Sequence, residues 1–232
     1  MERLRRTSGI GPRRRNKHSF PSIYSRLAGK LPASSCSLCN PKITFIPRIR
    51  IHRSCRSFGL AAMRILVYGF GPYKQFRHNI TEKIIKALPS QPGLKKMVFP
   101  VRFHKGQFIE ALKKHRLDGI IGLGQCTRRK IEVESRAVNR KRTRQTDPGK
   151  PIRHNGPRFL PTTLEIKLRR QVGRSNNAGD YVCNYSMYVI LDHIGRKALE
   201  VKFSFIHIPH DCNPRKATEI VAGAIKQVSL DR

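Results

Sequence analysis

Acidic residues are scarce in this 232-residue chain: 14 Asp and Glu stand against 48 Lys and Arg, a formal net charge of +34. Such an excess attracts phosphate-rich or acidic partners whatever the fold does, but it does not define a function. Long apolar runs are missing as well. No uncharged stretch approaches the roughly 18 apolar residues that a spanning helix needs, so no transmembrane segment is expected. No secretory signal with an apolar core opens the chain, and the six cysteines are scattered at positions 36, 39, 55, 126, 183 and 212. A disulfide framework is therefore not expected, and a reducing, cytoplasmic compartment is. A metal centre lacks its second half: Cys36 and Cys39 have the spacing of half a zinc knuckle, but only His52 and Cys55 lie nearby, so the pair reads as coincidence and no metal or other cofactor is expected.

Charge and texture divide the chain at Met63. Residues 1–62 carry 14 Lys or Arg and a single acid, Glu2, in Ser, Pro and Arg clusters without helix or strand periodicity, which predicts a disordered basic extension. The same composition suits an organelle transit peptide, a nucleic-acid-binding tail, or translated sequence upstream of the true start. The last is preferred, because the first strand of the domain at 63–232 begins two residues after a methionine.

That domain alternates strand and helix patterns. MRILVYGFG is a short apolar run ending in glycines, the mark of a buried strand feeding a functional loop. NITEKIIKAL follows, with Asn79 as N-cap and Glu82 three places on, resembling a capping box. KMVFPV and LDGIIGLG read as strands with the helix GQFIEALKKH between them. KIEVESRAVN alternates like one strand, CNYSMYVILDHI reads as helix and VKFSFIHIP as strand. A last helix, capped by Asn213 with Pro214 in its first turn, places Ala217, Val221, Ala224, Ile225 and Val228 on one face. The order predicts an α/β fold, a three-layer α/β/α sandwich on a twisted, largely parallel sheet, with sites at the carboxyl ends of strands.

Three titratable residues occupy such places: Glu134 in KIEVESRAVN, Cys183 at the start of a helix after NNAG, and His207 near the end of FSFIHIP. A helix N-terminus offers free N–H groups and a positive dipole end, which are expected to lower a thiol pKa and to hold an oxyanion. A histidine can take the thiol proton and return it to a leaving amine, while a carboxylate orients the imidazole. Each residue alone also has a bland role, as a buried thiol, a core histidine or a chance carboxylate.

Taken together the segments resemble the pyroglutamyl peptidase I (pyrrolidone carboxyl peptidase) family of cysteine peptidases. YGFGPY is similar to the family's Gly-Phe-x-Pro-Phe loop, VESRAVN to its Glu-Arg-x-Ala-x-Asn segment, SNNAGDYVCNYSMY to its nucleophile motif and FIHIP to its histidine strand, in family order across 63–228. The resemblance implies Cys183 as nucleophile, His207 as general base and acid, and Glu134 as their carboxylate partner, acting through a thioester acyl-enzyme. It implies Phe70 and Tyr73 as aromatic residues that hold a pyrrolidone ring, Tyr73 standing where phenylalanine is usual, and Gln125 beside the substrate amide. It implies peptides with N-terminal pyroglutamate as partners, and a homo-oligomer.

Two departures border the expected pocket. The segment TTLEIKLRRQVGRSNNAG is compressed where family members have a helix, a loop and a further strand. GQCTRRKIEVE is one residue short and carries Arg128, Arg129 and Lys130. A second function from another class stays open: a catalytically idle relative that binds nucleic acid or another polyanion through runs such as NRKRTRQ. The three triad positions favour the enzyme, and the charge favours the binder.

Overall fold

ILVYGF forms strand β1 (Ile65–Phe70), buried at every position. The computed structural model describes residues 63–73, 76–144, 146–167 and 172–230; the extension 1–62, with Cys36, Cys39 and Cys55, lies outside the described residues. Helix α1 (Ile80–Ala87) follows, then β2 (Leu94–Phe99), α2 (Lys105–Lys113) and β3 (Gly119–Cys126). After these come β4 (Ile131–Glu134), β5 (Arg136–Val138), β6 (Phe159–Pro161), β7 (Val172–Ser175), α3 (Val182–Arg196), β8 (Lys202–Pro209) and α4 (Pro214–Leu230).

Asn79 caps α1 as expected: its side chain accepts from the Thr81 N–H at 3.0 Å. Glu82 does not complete a capping box and instead accepts from Lys86 at 2.7 Å, one turn along the helix. Asn213 caps α4 through Oδ1, which accepts from the Arg215 N–H at 2.9 Å and the Lys216 N–H at 3.2 Å.

Six strands form one sheet in the order β2-β1-β3-β8-β4-β7, parallel throughout except for the antiparallel β4–β8 pair. The two-residue period of a strand sends Leu66, Tyr68 and Phe70 to one face, where α2 and α3 cover them, and Ile65 and Val67 to the other, beneath α1 and α4. This is the three-layer α/β/α sandwich. KIEVESRAVN is not one strand. At Ser135 the chain changes sheets: the Ser135 N–H donates to the Ser175 carbonyl of β7 and its own carbonyl accepts from the Thr162 N–H beyond β6, so β5 pairs with β6 in a separate antiparallel ribbon beside α3. Among the described residues no helix is long and apolar enough to cross a membrane.

Candidate active site

β8 is buried from Phe203 to Pro209, and its central place between β3 and β4 fixes every side chain it presents. His207 is 4% exposed, and β4 runs antiparallel beside it with Glu132 opposite His207 and Glu134 opposite Phe205. That register brings the fully buried Glu134 to the imidazole, where Oε1 accepts from His207 Nδ1 at 2.7 Å. Nδ1 is thereby occupied, and Nε2 is left for chemistry.

Arg128 braces the carboxylate from the other side. Its Nη1 donates to the same Glu134 oxygen at 2.8 Å and to Glu132 Oε2 at 2.5 Å, while Nη2 donates to the Asn177 carbonyl in the loop before α3. Burial alone would raise the pKa of Glu134, but His207 first, then Ser175 and Arg128, hold it below the usual carboxylate range, so it is ionised at neutral pH.

Cys183 is the second residue of α3. The chain reaches it through Gly179, whose φ of 77° is a conformation that suits glycine, with Asn177 Oδ1 accepting from the Gly179 N–H at 3.1 Å. Tyr181, the N-cap residue, makes no side-chain cap, so no capping side chain takes up the amides of the first turn. Asn184, fully buried, anchors this turn to β5. Its Oδ1 accepts from the Val138 N–H, and its Nδ2 donates to the Val138 and Arg140 carbonyls, each at 2.8 Å.

Gly124 of β3 joins the two halves of the site. A Cβ placed there would lie 2.8 Å from Cys183 Sγ, 2.9 Å from His207 Cδ2 and 2.7 Å from Phe205 Cε1. Sulfur and imidazole are thus neighbours across the space that a missing side chain leaves, on the Cδ2–Nε2 edge of the ring. The structure brings Cys183, His207 and Glu134 together.

The thiol itself departs from the helix-start expectation. Burial pushes the Cys183 pKa up to about 12, with Cys126 and Glu134 adding to the rise and its own amide and Arg128 opposing it. Desolvation outweighs these two, so the resting sulfur is a thiol at neutral pH.

Beside Cys183 lies a cavity of about 180 Å³ lined by Phe70, Tyr73, Gln125, Tyr181 and His210, among others. Phe70 is a core residue as well as a wall: it is 2% exposed and packs edge-on to Tyr68 and Phe108. Tyr73 leans on Tyr181 with ring centroids 5.1 Å apart. Gln125 Oε1 accepts from the Ile80 N–H at 2.9 Å at the start of α1, which sets the amide so that its NH₂ is the group left to donate. Sequence reasoning missed Tyr181, Phe76, Cys126 and His210 as lining residues. Tyr181 sits inside the nucleophile motif and His210 three places after His207, so both had a local signal; Phe76 had none. Arg128 was noted only as a loop change, whereas it is the brace of the carboxylate; Arg129 and Lys130 are exposed and do not line the cavity. Among the described residues no group of three or more His, Cys, Asp and Glu is arranged to hold a metal ion.

The sequence profile described as pyroglutamyl peptidase matches residues 63–229. Pyrrolidone-carboxylate peptidase 1 of Caldanaerobacter subterraneus subsp. tengcongensis is 32% identical over 168 residues, covering 64% of this chain and 83% of the relative. The solved pyroglutamyl peptidase I of Bacillus amyloliquefaciens superposes with a TM-score of 0.66 at 26% identity, over 73% of this chain and 96% of that one. A mutant pyrrolidone carboxyl peptidase from the hyperthermophile Pyrococcus furiosus superposes with a TM-score of 0.65 at 27% identity, over 73% and 99%. With the profile spanning most of the chain and solved members of the family sharing its sheet and helices, this chain belongs to the pyroglutamyl peptidase family.

Proposed function

We propose that the chain is a cysteine omega peptidase that hydrolyses the amide bond after an N-terminal pyroglutamate, with Cys183 as nucleophile, His207 as general base and then acid, and Glu134 as the carboxylate that orients the imidazole. The observation that carries this reading is the single gap at Gly124 flanked by Cys183 Sγ and by the His207 ring, whose Nδ1 is held by Glu134.

The neutral thiol gives its proton to His207 Nε2 as the sulfur attacks the pyroglutamyl carbonyl carbon. Glu134 stabilises the imidazolium that forms. Negative charge then develops on the carbonyl oxygen, where the uncapped first-turn amides of α3 supply donors. Collapse of this tetrahedral species breaks the C–N bond, and His207 passes its proton to the departing amine, leaving a thioester on Cys183. In the second half His207 takes a proton from water, which attacks the thioester; the acid product leaves and the sulfur regains its proton.

The flat, neutral lactam suits the cavity. Phe70 and Tyr73 line it, and Gln125, its oxygen engaged by the Ile80 N–H, has its NH₂ to offer to a carbonyl. A charged N-terminus would lose its hydration there without a carboxylate among the lining residues to replace it. The test is hydrolysis of a fluorogenic pyroglutamyl amide by the purified full chain, set against the prolyl and glutaminyl amides. Strong preference for pyroglutamyl is expected; equal rates on the prolyl amide would overturn the assignment. The homo-oligomer implied by the family resemblance is tested by light scattering.

A further inference from the structure

A second cavity, of about 520 Å³, opens on the β5 side of the start of α3. Its lining carries four cationic side chains, Arg136, Arg140, Lys150 and Arg158, and no carboxylate. We infer that this groove binds the acidic residues of a peptide whose N-terminal pyroglutamate occupies the cavity beside Cys183. The inference rests on the activity proposed above.

The groove differs from an ordinary solvated basic surface in how its charges are held. Asn139 stitches its walls together: Oδ1 accepts from the Ile152 and Arg153 N–H groups at 2.8 and 2.9 Å, Nδ2 donates to the Arg153 and Gly156 carbonyls at 2.8 and 3.2 Å, and the backbone N–H donates to the Arg158 carbonyl at 2.9 Å. The backbone of Lys150 is fixed by a reciprocal pair with Lys141, at 2.8 and 2.9 Å, which sets where its side chain leaves the wall. The Arg140 stem lies over Gly149, where a Cβ would come within 2.7 Å of its Cδ. The guanidiniums of Arg136 and Arg158 sit 4.2 and 5.1 Å from the centre of the Phe159 ring. Like charges are therefore kept close by backbone pinning and by a shared aromatic ring, an arrangement that an anion between them relieves.

The carboxylate of Asp180 is paired with Arg140 at 3.4 Å and Arg142 at 2.9 Å. Among the described residues neither Lys150 nor Arg158 has a carboxylate partner.

Position ties the groove to the reaction. The acyl cavity draws its walls from β1 and β3, whereas the basic groove is built from β5 and the segment 139–159, and the sheet order places β3 and β4 on opposite sides of β8. Between the two cavities lies the first turn of α3, where Asn184, next to the nucleophile, bonds Val138 and Arg140 of the groove wall. With the pyroglutamyl ring on the β1–β3 side, the leaving peptide extends the other way, and its first few residues run past these cations. A single-stranded nucleic acid fits less well, because its bases need open aromatic platforms and the one aromatic ring here is already engaged by two guanidiniums.

The test compares quenched fluorogenic peptides that differ only in acidic or neutral residues after pyroglutamyl-alanine, with the neutral pyroglutamyl coumarylamide as reference. For the full chain at low salt, kcat/KM for the acidic peptide should exceed the neutral one by about fivefold to tenfold through KM, a preference that collapses toward unity near roughly 1 M salt. The double variant Lys150→Gln, Arg158→Gln should bring the two peptides within about twofold while hydrolysing the coumarylamide like wild type. Equal rates in wild type, or a preference that survives the double variant, would overturn the inference. If no substrate is turned over, the activity itself fails. The groove is then judged by fluorescence anisotropy of the labelled acidic peptide on both chains, where binding lost in the double variant supports it and no binding refutes it. Displacement of that peptide by oligouridylate at lower concentration than by unlabelled peptide would reassign the groove to nucleic acid.

Discussion

Replacing Gly124 by Ala adds one methyl group at the point where the site is closed. That Cβ would meet Cys183 Sγ at 2.8 Å, His207 Cδ2 at 2.9 Å and Phe205 Cε1 at 2.7 Å, all closer than real Cβ contacts come. At Gly124 the strand is held by its pairing with His207 of β8, the register with β1 having ended at Gly122. Phe205 is fully buried and has little room to move, so the displacement falls in good part on the sulfur and on the imidazole, whose 2.7 Å hydrogen bond to Glu134 it strains. A shift of several tenths of an ångström in both reacting groups is expected to lower kcat/KM by about 10²-fold, with a stability loss of about 1–3 kcal/mol for overpacking. Gly122→Ala is the matched control. On the same strand and face, its Cβ would strike Phe205 Cδ2 at 2.4 Å and Tyr68 Oη at 2.6 Å, a harder clash whose nearest atoms belong to neither Cys183 nor His207. The assay is kcat/KM on the pyroglutamyl amide, well below the unfolding temperature of each variant, with folding checked by circular dichroism. Gly122→Ala should lose more stability and Gly124→Ala more activity per folded molecule. A folded Gly124→Ala enzyme that retains kcat/KM within about threefold of wild type would refute the reasoning.

Arg128→Ala should raise the Glu134 pKa toward the ordinary range and cost about one to two orders of magnitude in kcat/KM, the worth of a charge-assisted hydrogen bond to a buried carboxylate. Because the folded-state pKa of Glu134 is depressed, its contribution to stability is present at neutral pH and lost as pH falls through that pKa; the acid limb of activity and of unfolding should therefore move to higher pH in the variant, and an unmoved acid limb would show Arg128 to be dispensable. Asn184→Ala removes the partner of the part-buried Val138 amide and of the Arg140 carbonyl, while the Val138 carbonyl keeps the Arg140 N–H at 2.7 Å, and should cost about 1–3 kcal/mol in chemical denaturation. Iodoacetamide alkylation of Cys183 in a His207→Ala chain should rise by about tenfold per pH unit through pH 7 to 10 without a plateau, as a thiol pushed to about 12 requires; a plateau near neutrality would mean a preformed thiolate.

Where the chain's own local pattern decides an element, sequence and structure agree. The apolar runs of β1, β3 and β8 and the capped starts of α1 and α4 were legible, because burial on both sheet faces and N-cap chemistry leave marks within a few residues. The break at Ser135 was not, since alternation continues through Arg136 and Ala137 while the hydrogen-bonding partner changes from β7 to β6. β6 and β7 are three and four residues long and contain Pro161 and Gly173, so neither carries a strand pattern. In the site, the positions of Cys183, His207 and Glu134 could be read from motifs, but the state of the thiol could not. It depends on the burial around Cys183 and on its closeness to Cys126 and to the charged Glu134, which only the folded chain brings together. The Arg128 brace likewise needs Glu132, Glu134 and Asn177 to converge on one guanidinium from two separate segments.

The central claim is that Cys183 carries the acyl group, and intact-mass and peptide mapping of acid-quenched enzyme tests it most directly. Mixed with excess pyroglutamyl amide and quenched in the first turnover, the full chain should carry one pyroglutamyl adduct, located on Cys183, and a Cys183→Ala chain should carry none and show no turnover. An adduct on Cys126, which lines the same cavity, or steady hydrolysis by the Cys183→Ala chain, would contradict the account.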